Sequence, residues 1–482
     1  MATHADLPPL PSYGLLPRPA LLPPFSDKSL CVYAPILAYW LLSGIFHWID
    51  SKDYFPQYRL HTPAEVLKRN RASRWDVLRD VLIQQGIQIV IGTLLNMTEP
   101  EDFVGREEYD IAVWAQRIRI AQRAIPSILT LIGIDGLQLG KNLGAGHPML
   151  AGLFAGGRYP VLQKIPSLSG DLTATTPAFA PWEVILAKLI YWFAVPAVQF
   201  AIAIVFVDTW QYFLHRWMHM NKWMYTTFHA RHHRLYVPYA YGALYNHWFE
   251  GFLLDLLGAS LAYKVAGFTT RQGLCFFTGS TFKTVDDHCG YALPWDPLQH
   301  ITSNNAGYHD VHHQTWGIKT NFSQPFFTFW DRVLGTKWTG GDVSARYEKA
   351  RLAAQKKLDA DASSSVTGSH AQTSKIESPH PYENDIQDAK DVASVPIKNR
   401  QPQPPSGKAE SQAAGSRQQV LDSKEAGGTV ALAQESREEV EAQAYVKKTK
   451  PRKRATSSST RESLKGLSQK VTGSSCIGGM GS

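Results

Sequence analysis

The chain has 482 residues, 44% hydrophobic and 19% charged, with 49 Lys and Arg against 41 Asp and Glu for a formal charge of +8. Four cysteines (Cys31, Cys275, Cys289, Cys476) without a CxxC pair exclude a disulfide scaffold and a zinc ribbon, and point to a functional face in a reducing compartment. The Lys and Arg residues fall in loops and in the C-terminal region without an RNP or zinc-finger pattern, which argues against nucleic acid as a partner.

The average composition conceals two regions. The chain holds 14 Trp, 20 Tyr and 21 Phe, yet from Gly341 to Ser482 the aromatic residues are only Tyr347, Tyr382 and Tyr445. Residues 31–340 read as a membrane-embedded domain. Residues 341–482 read as a polar tail without the apolar content to offset ordering entropy. The N-terminal segment, 1–30, is rich in proline (Pro8, Pro9, Pro11, Pro17, Pro19, Pro23, Pro24) and lacks the basic n-region and small-residue cleavage site of a signal peptide.

In chain order, the first apolar run is Cys31 to Ile49, about the length that crosses a hydrocarbon core of roughly 30 Å. The loop after it carries Lys52, Arg59, Lys68, Arg69, Arg71, Arg74 and Arg79, a cluster that the positive-inside rule holds on the cytosolic side. Val81 to Met97 is a weaker run interrupted by Gln84, Gln85 and Gln88, either a span facing a partner helix or a helix in the interface. Ile125 to Gly157 is Gly-rich and moderately apolar, fitting a re-entrant or interfacial element. Leu189 to Val207 is the clearest span. Phe252 to Phe268 and Gly273 to Val285 form a helical hairpin that returns to its own side. In the tail, the basic run Lys447 to Arg454 is either solvated or in contact with anionic lipid, with solvation the plainer reading.

The fold class expected is an all-α integral membrane protein. A bundle of about four transmembrane helices or hairpins carries a cytosolic, histidine-rich helical cap. That cap is the chemically informative part. His215 and His219 stand in HRWMH, His229, His232 and His233 in HARHH, and His309, His312 and His313 in HDVHH. On an α-helix, residues three and four apart share a face, so each cluster aims two or three imidazoles at one point. A lone histidine is more often a satisfied polar residue. Three such clusters within about a hundred residues, the first directly after the best span, are not explained that way. Imidazole suits Fe, Zn, Cu and Ni, but eight or more neutral nitrogen donors exceed what one four-coordinate zinc uses. Two metal ions are the economical reading, about 3.5–4 Å apart if tightly bridged.

His288, in DDHCGY, follows the apolar hairpin and is a ninth donor by position. Asp208, two helical turns before His215, is either placed to accept an imidazole N–H or merely ends the apolar run. Asn246, His247, Glu250 and Asn305 are the polar residues near the clusters that could meet a substrate head. His300 is less favoured, and His4, His47, His61, His147, His370 and His380 have no metal role by position.

At these residues the sequence resembles the fatty acid hydroxylase superfamily of membrane non-haem di-iron oxygenases, whose three histidine boxes HRWMH, HARHH and HDVHH match in order and approximate separation. The segments YGALYNHWFEG, DDHCGYALPWDP and NFSQPFFTFWDRVLGT resemble the fungal long-chain-base C4-hydroxylase branch of that family. The resemblance implies two Fe ions and an endoplasmic reticulum enzyme using O2, with electrons from NADPH through cytochrome b5 and its reductase. The product that the resemblance implies is a long-chain base hydroxylated at C4. Several family members carry a further HxxxH before the last box. Here its positions are Thr284 and His288, so one donor is absent. The same machinery serves sterol C5-desaturation, sterol C4-methyl oxidation and fatty-acid hydroxylation, which box spacing does not separate. A membrane metal transporter is the reading of a different class, but it would place ionisable residues inside the spans.

Overall fold

A computed structural model describes residues 7–368, apart from 145, 160–161 and 167–172. After an N-terminal segment, Ser26 caps α1 (Asp27–Ser51) by accepting from the Ser29 amide. Thr62 with Glu65, and Ser73 with Asp76, form capping boxes that start α2 (Pro63–Arg69) and α3 (Arg74–Thr98). Four short helices follow, α4 (Glu107–Gln122), α5 (Ile125–Leu131), α6 (Gly136–Leu143) and α7 (Pro148–Phe154).

The chain then enters α8 (Pro181–Leu189), which runs through a π-helical turn into α9 (Val195–Met220). Beyond α10 (Lys222–Thr227) come two 3-10 turns, His229–Arg234 and Ala240–Leu244. The hairpin consists of α11 (Trp248–Gly251), a π-helical turn (Phe252–Leu257), α12 (Gly258–Ala266) and α13 (Thr270–Asp287). Short helices α14 (Leu298–Ile301), α15 (Ala306–His313) and α16 (Phe329–Val333) precede α17 (Ser344–Gly368).

Among the described residues three helices are long and apolar enough to cross a membrane, α1, α3 and the continuous α8–α9. A fourth span results if Glu107–Leu131 and α6, bent by 109° to one another, act together. The chain is a membrane protein by this measure, since its spans turn Phe193, Val198 and Val205 outward with more than half their surface exposed. The glutamines of α3 are explained by its neighbours. Gln84 donates to Asp255 and Gln85 accepts from the Trp40 indole, so α3 faces the bundle with its polar side. The region 125–157 folds as short helices around the sharp bend.

The core beneath the histidines combines Tyr39 and Phe46 of α1 with Val77 and Val81 of α3, Leu235, Tyr245, and Val285 of α13. The loop between α1 and α3 closes over the same end: Leu60 donates to the Gly290 carbonyl, Arg71 to that of Arg234, and Arg231 pairs with Asp80. The basic loop and the histidine cap therefore share one side of the bundle.

The expected polar tail does not begin at 341. α17 packs Ala354 and Leu358 inward, Leu358 against Ala64 and Leu67 of α2, and ties Lys68 to Asp361. The residues it buries are few, and Leu352 on another face stays exposed, so the helix gives little sign of packing in its sequence. The rest of that tail, from 369, including Lys447 to Arg454, His370 and His380, lies outside the described residues.

Candidate metal centre

The nine histidines converge, but not box by box. The ring nitrogens of His215, His219, His229, His233 and His312 lie within 4.8 Å of one another, and those of His232, His288, His309 and His313 form a second such group. All nine are buried. Each HH pair is split: His233 and His312 join the first group, and His232 and His313 the second. Each box aims two imidazoles at one group, His215 and His219, His229 and His233, and His309 and His313, while the remaining one of each HxxHH box goes to the other group. HARHH lies on a 3-10 turn rather than an α-helix. In both HxxHH boxes the first and last histidines serve one group and the middle one serves the other.

Backbone acceptors fix the tautomers. A carbonyl oxygen only accepts, so a ring nitrogen facing one must carry the proton. His215 Nδ1 donates to Phe322 O at 2.8 Å, His288 Nδ1 to Thr284 O at 2.8 Å, His312 Nδ1 to Thr320 O at 2.7 Å and His313 Nδ1 to Leu235 O at 2.8 Å. His232 Nδ1 faces Tyr245 O at 3.3 Å, and His229 Nδ1 meets Glu250 Oε1 at 2.5 Å. The inward Nε2 atoms of these six are then lone pairs, and some face each other: 3.0 Å between His215 and His229 and 3.4 Å between His232 and His288. Lone pairs at such distances repel unless a cation lies among them, so the donor set fits metal ions.

Protons do not serve as those cations. Burial holds the pKa of His229, His232 and His288 down to about 3, and burial with the neighbouring imidazoles holds His233, His309, His312 and His313 well below the ordinary histidine value. These seven imidazoles are thereby favoured in the neutral form, the one that binds metal.

Other expected residues are placed individually. Asp208 accepts no imidazole N–H. Its carboxylate takes the backbone amides of Phe326 and Phe327 at 3.0 and 2.9 Å, and so holds the segment whose Phe322 carbonyl orients His215. Asn305 caps α15 by accepting from the Tyr308 amide. His247 caps α11 and packs against Phe228, lining neither cavity. Glu250 orients His229, and Asn246 lines the cavity beside the second group.

That cavity, of about 30 Å³, is bordered by His229, His232, His288 and His309 together with Asn246, Glu250, Asp255 and Thr284. Gln211, Asp255, Thr284 and Pro325 also border a larger, mainly apolar cavity of about 420 Å³ between α1, α3, α9, α12 and α13. Thr284, where a further donor is absent, thus stands at the junction, and its hydroxyl is bonded to the Ser280 carbonyl.

Two features lay outside the sequence reading. Asp255 carried no motif. His61, read as without a metal role, is buried between Glu65 at 3.0 Å and Asp310 at 2.8 Å, and Asp310 also receives the Tyr347 hydroxyl of α17. That network braces α15 from behind.

An apolar helical bundle capped by buried, neutral imidazoles defines an integral-membrane protein with a histidine-built site fit for metal. Residues 200–336 match the family model described as fatty acid hydroxylase, and the chain belongs to that family. It is 42% identical over 330 residues to the sphingolipid C4-hydroxylase of Saccharomyces cerevisiae, covering 68% of this chain and 77% of the relative. It is 41% identical to the sphingolipid C4-hydroxylase of Schizosaccharomyces pombe, covering 66% and 90%. It is 37% identical to sphinganine C4-monooxygenase 2 of Arabidopsis thaliana, covering 64% and 88%. No solved structure matches the chain.

Proposed function

We propose that this chain is a monooxygenase that hydroxylates C4 of a sphingoid long-chain base, on the endoplasmic reticulum membrane with its histidine cap toward the cytosol. The observation that carries the reading is the pair of buried imidazole groups beside an apolar cavity that ends in a small polar one. Support for the substrate comes from relatives named for sphingolipid C4-hydroxylation.

An unactivated methylene has no acidic proton and no leaving group, so side-chain acid–base chemistry does not oxidise it. Two irons, one held by His215, His219, His229, His233 and His312 and the other by His232, His288, His309 and His313, would supply the redox chemistry. Overall, one oxygen atom of O2 enters the C–H bond, and two electrons and two protons reduce the other to water. The electrons come from NADPH through cytochrome b5 and its reductase, bound outside this chain.

The protein's own work is positional. The apolar cavity takes the alkyl chain, the small cavity brings C4 to the second histidine group, and the Nδ1 partners of His215, His229, His232, His288, His312 and His313 keep those six imidazoles aimed inward. Burial excludes water from the reacting carbon. The basic loop on the cap's side supports the cytosolic orientation by the positive-inside rule. Lipid profiling of cells lacking this protein, with and without re-expression, tests the assignment. C4-hydroxylated long-chain bases should disappear and return, and unchanged levels would reject the substrate.

A further inference from the structure

Asp255 stands out in the small cavity. Glu250 and Asp255 are five residues apart, a spacing that an α-helix would place on different faces. The chain winds as a π-helical turn from Phe252 to Leu257, and the wider winding brings both carboxylates to the same cavity. Asp255 accepts from Gln84 at 2.9 Å, and among the described residues it forms no ion pair. The second oxygen of Glu250 has no hydrogen-bond partner. Asp287, on the same cavity, has its cation in Lys283.

The placement of Asp255 is supported from behind. Gly251 lets α3 come close, since a Cβ there would lie 2.3 Å from the Gln84 side chain, and Gln84 is the donor that aims the Asp255 carboxylate. A buried carboxylate without a cation, in a cavity walled by neutral imidazoles, amides and further carboxyl groups, is costly unless something positive arrives. Asp255 borders both cavities, so whatever occupies the small one with an alkyl chain in the large one passes it.

Resting on the proposed function, we infer that Asp255 is the specificity-determining anchor for the substrate's cationic amine. In a long-chain base the amine sits on C2 and the reacting carbon is C4, so an amine at Asp255, which borders both cavities, leaves C4 only two bonds away. The anchor favours the free primary amine over the N-acylated form, whose nitrogen is a neutral amide.

The test uses the full-length protein in membranes without endogenous activity, given sphinganine or its N-acyl derivative. Wild type should favour the free base, and Asp255→Asn should raise KM for it at least tenfold while affecting the N-acyl form far less, at unchanged iron content. An unchanged ratio of the two substrates, or equal loss of both, would overturn the assignment. Should the variant fail to accumulate, the wild-type protein decides: a saturated alkyl amine should bind at least tenfold more tightly than the alcohol of the same length, and equal binding would overturn the anchor. If wild type hydroxylates neither sphingoid substrate, the C4-hydroxylase reading fails, while the amine-against-alcohol comparison still decides the role of Asp255.

Discussion

The five-histidine group and the four-histidine group draw on the same two HxxHH segments, yet they meet different surroundings. Three of the four members of the second group border the small cavity, against only His229 of the first. The first group is closed by its own imidazoles, by Phe322, and by the last turns of α9. The second has Thr284 where another imidazole would fit, one helical turn before His288. A closed group suits holding a metal, and a group with an open side suits meeting a substrate.

The largest effects should come from the donors themselves. His312→Ala in the first group and His309→Ala in the second should each lower product to below about 1% of wild type with metal lost, while the protein stays in the membrane fraction. Hydroxylation retained by either variant would remove that residue from the site. Next, Glu250→Gln should cost about 10–100-fold in activity or metal affinity, because Glu250 orients His229 from behind.

The comparison between open and closed groups is tested more pointedly by Thr284→His. A fifth imidazole there should preserve or tighten metal binding yet reduce turnover about tenfold by filling the junction, worth about 1.4 kcal/mol of barrier. Wild-type turnover with full metal would mean that the open side is unimportant.

Smaller effects belong to the brace behind α15. Burial opposes a charge on His61, but Asp310 and Glu65 outweigh it and push its pKa up to about 9. A raised folded value stabilises fully below the unfolded value of about 6.5, and the contribution, on the order of 3 kcal/mol, is lost as pH rises through about 9. Thermal unfolding in detergent should therefore show Tm falling between pH 7 and 9.5, and His61→Gln should lower Tm at pH 7 and flatten that fall. Least of all, Tyr347→Phe removes one hydroxyl from Asp310 and should cost about 1 kcal/mol, read as a small loss of Tm.

Much of this was legible in the sequence. The spans are long apolar runs, and the boxes carry their spacing openly. What spacing does not carry is the hand-over of neighbouring histidines to different groups, because that depends on a 3-10 turn at His229–Arg234 and on how α15 docks against it. Asp208 illustrates a second limit. Helical periodicity places it below His215, but not that its carboxylate turns to the amides of Phe326 and Phe327, residues more than a hundred positions away. Asp255 was hidden for a related reason, since α-helical counting puts it off the face that a π-helical turn gives it. The docking of α17 rests on a few side chains, Ala354 and Leu358 buried and Tyr347 bonded to Asp310, within a segment whose composition is that of a solvated tail.

The most direct test of the account is the metal content of the purified full-length protein. Two imidazole groups of this kind should yield about two iron ions per chain, falling together with hydroxylase activity on chelation and returning with it on reloading. A preparation that hydroxylates a long-chain base while holding zinc alone, or a single ion per chain, would contradict it.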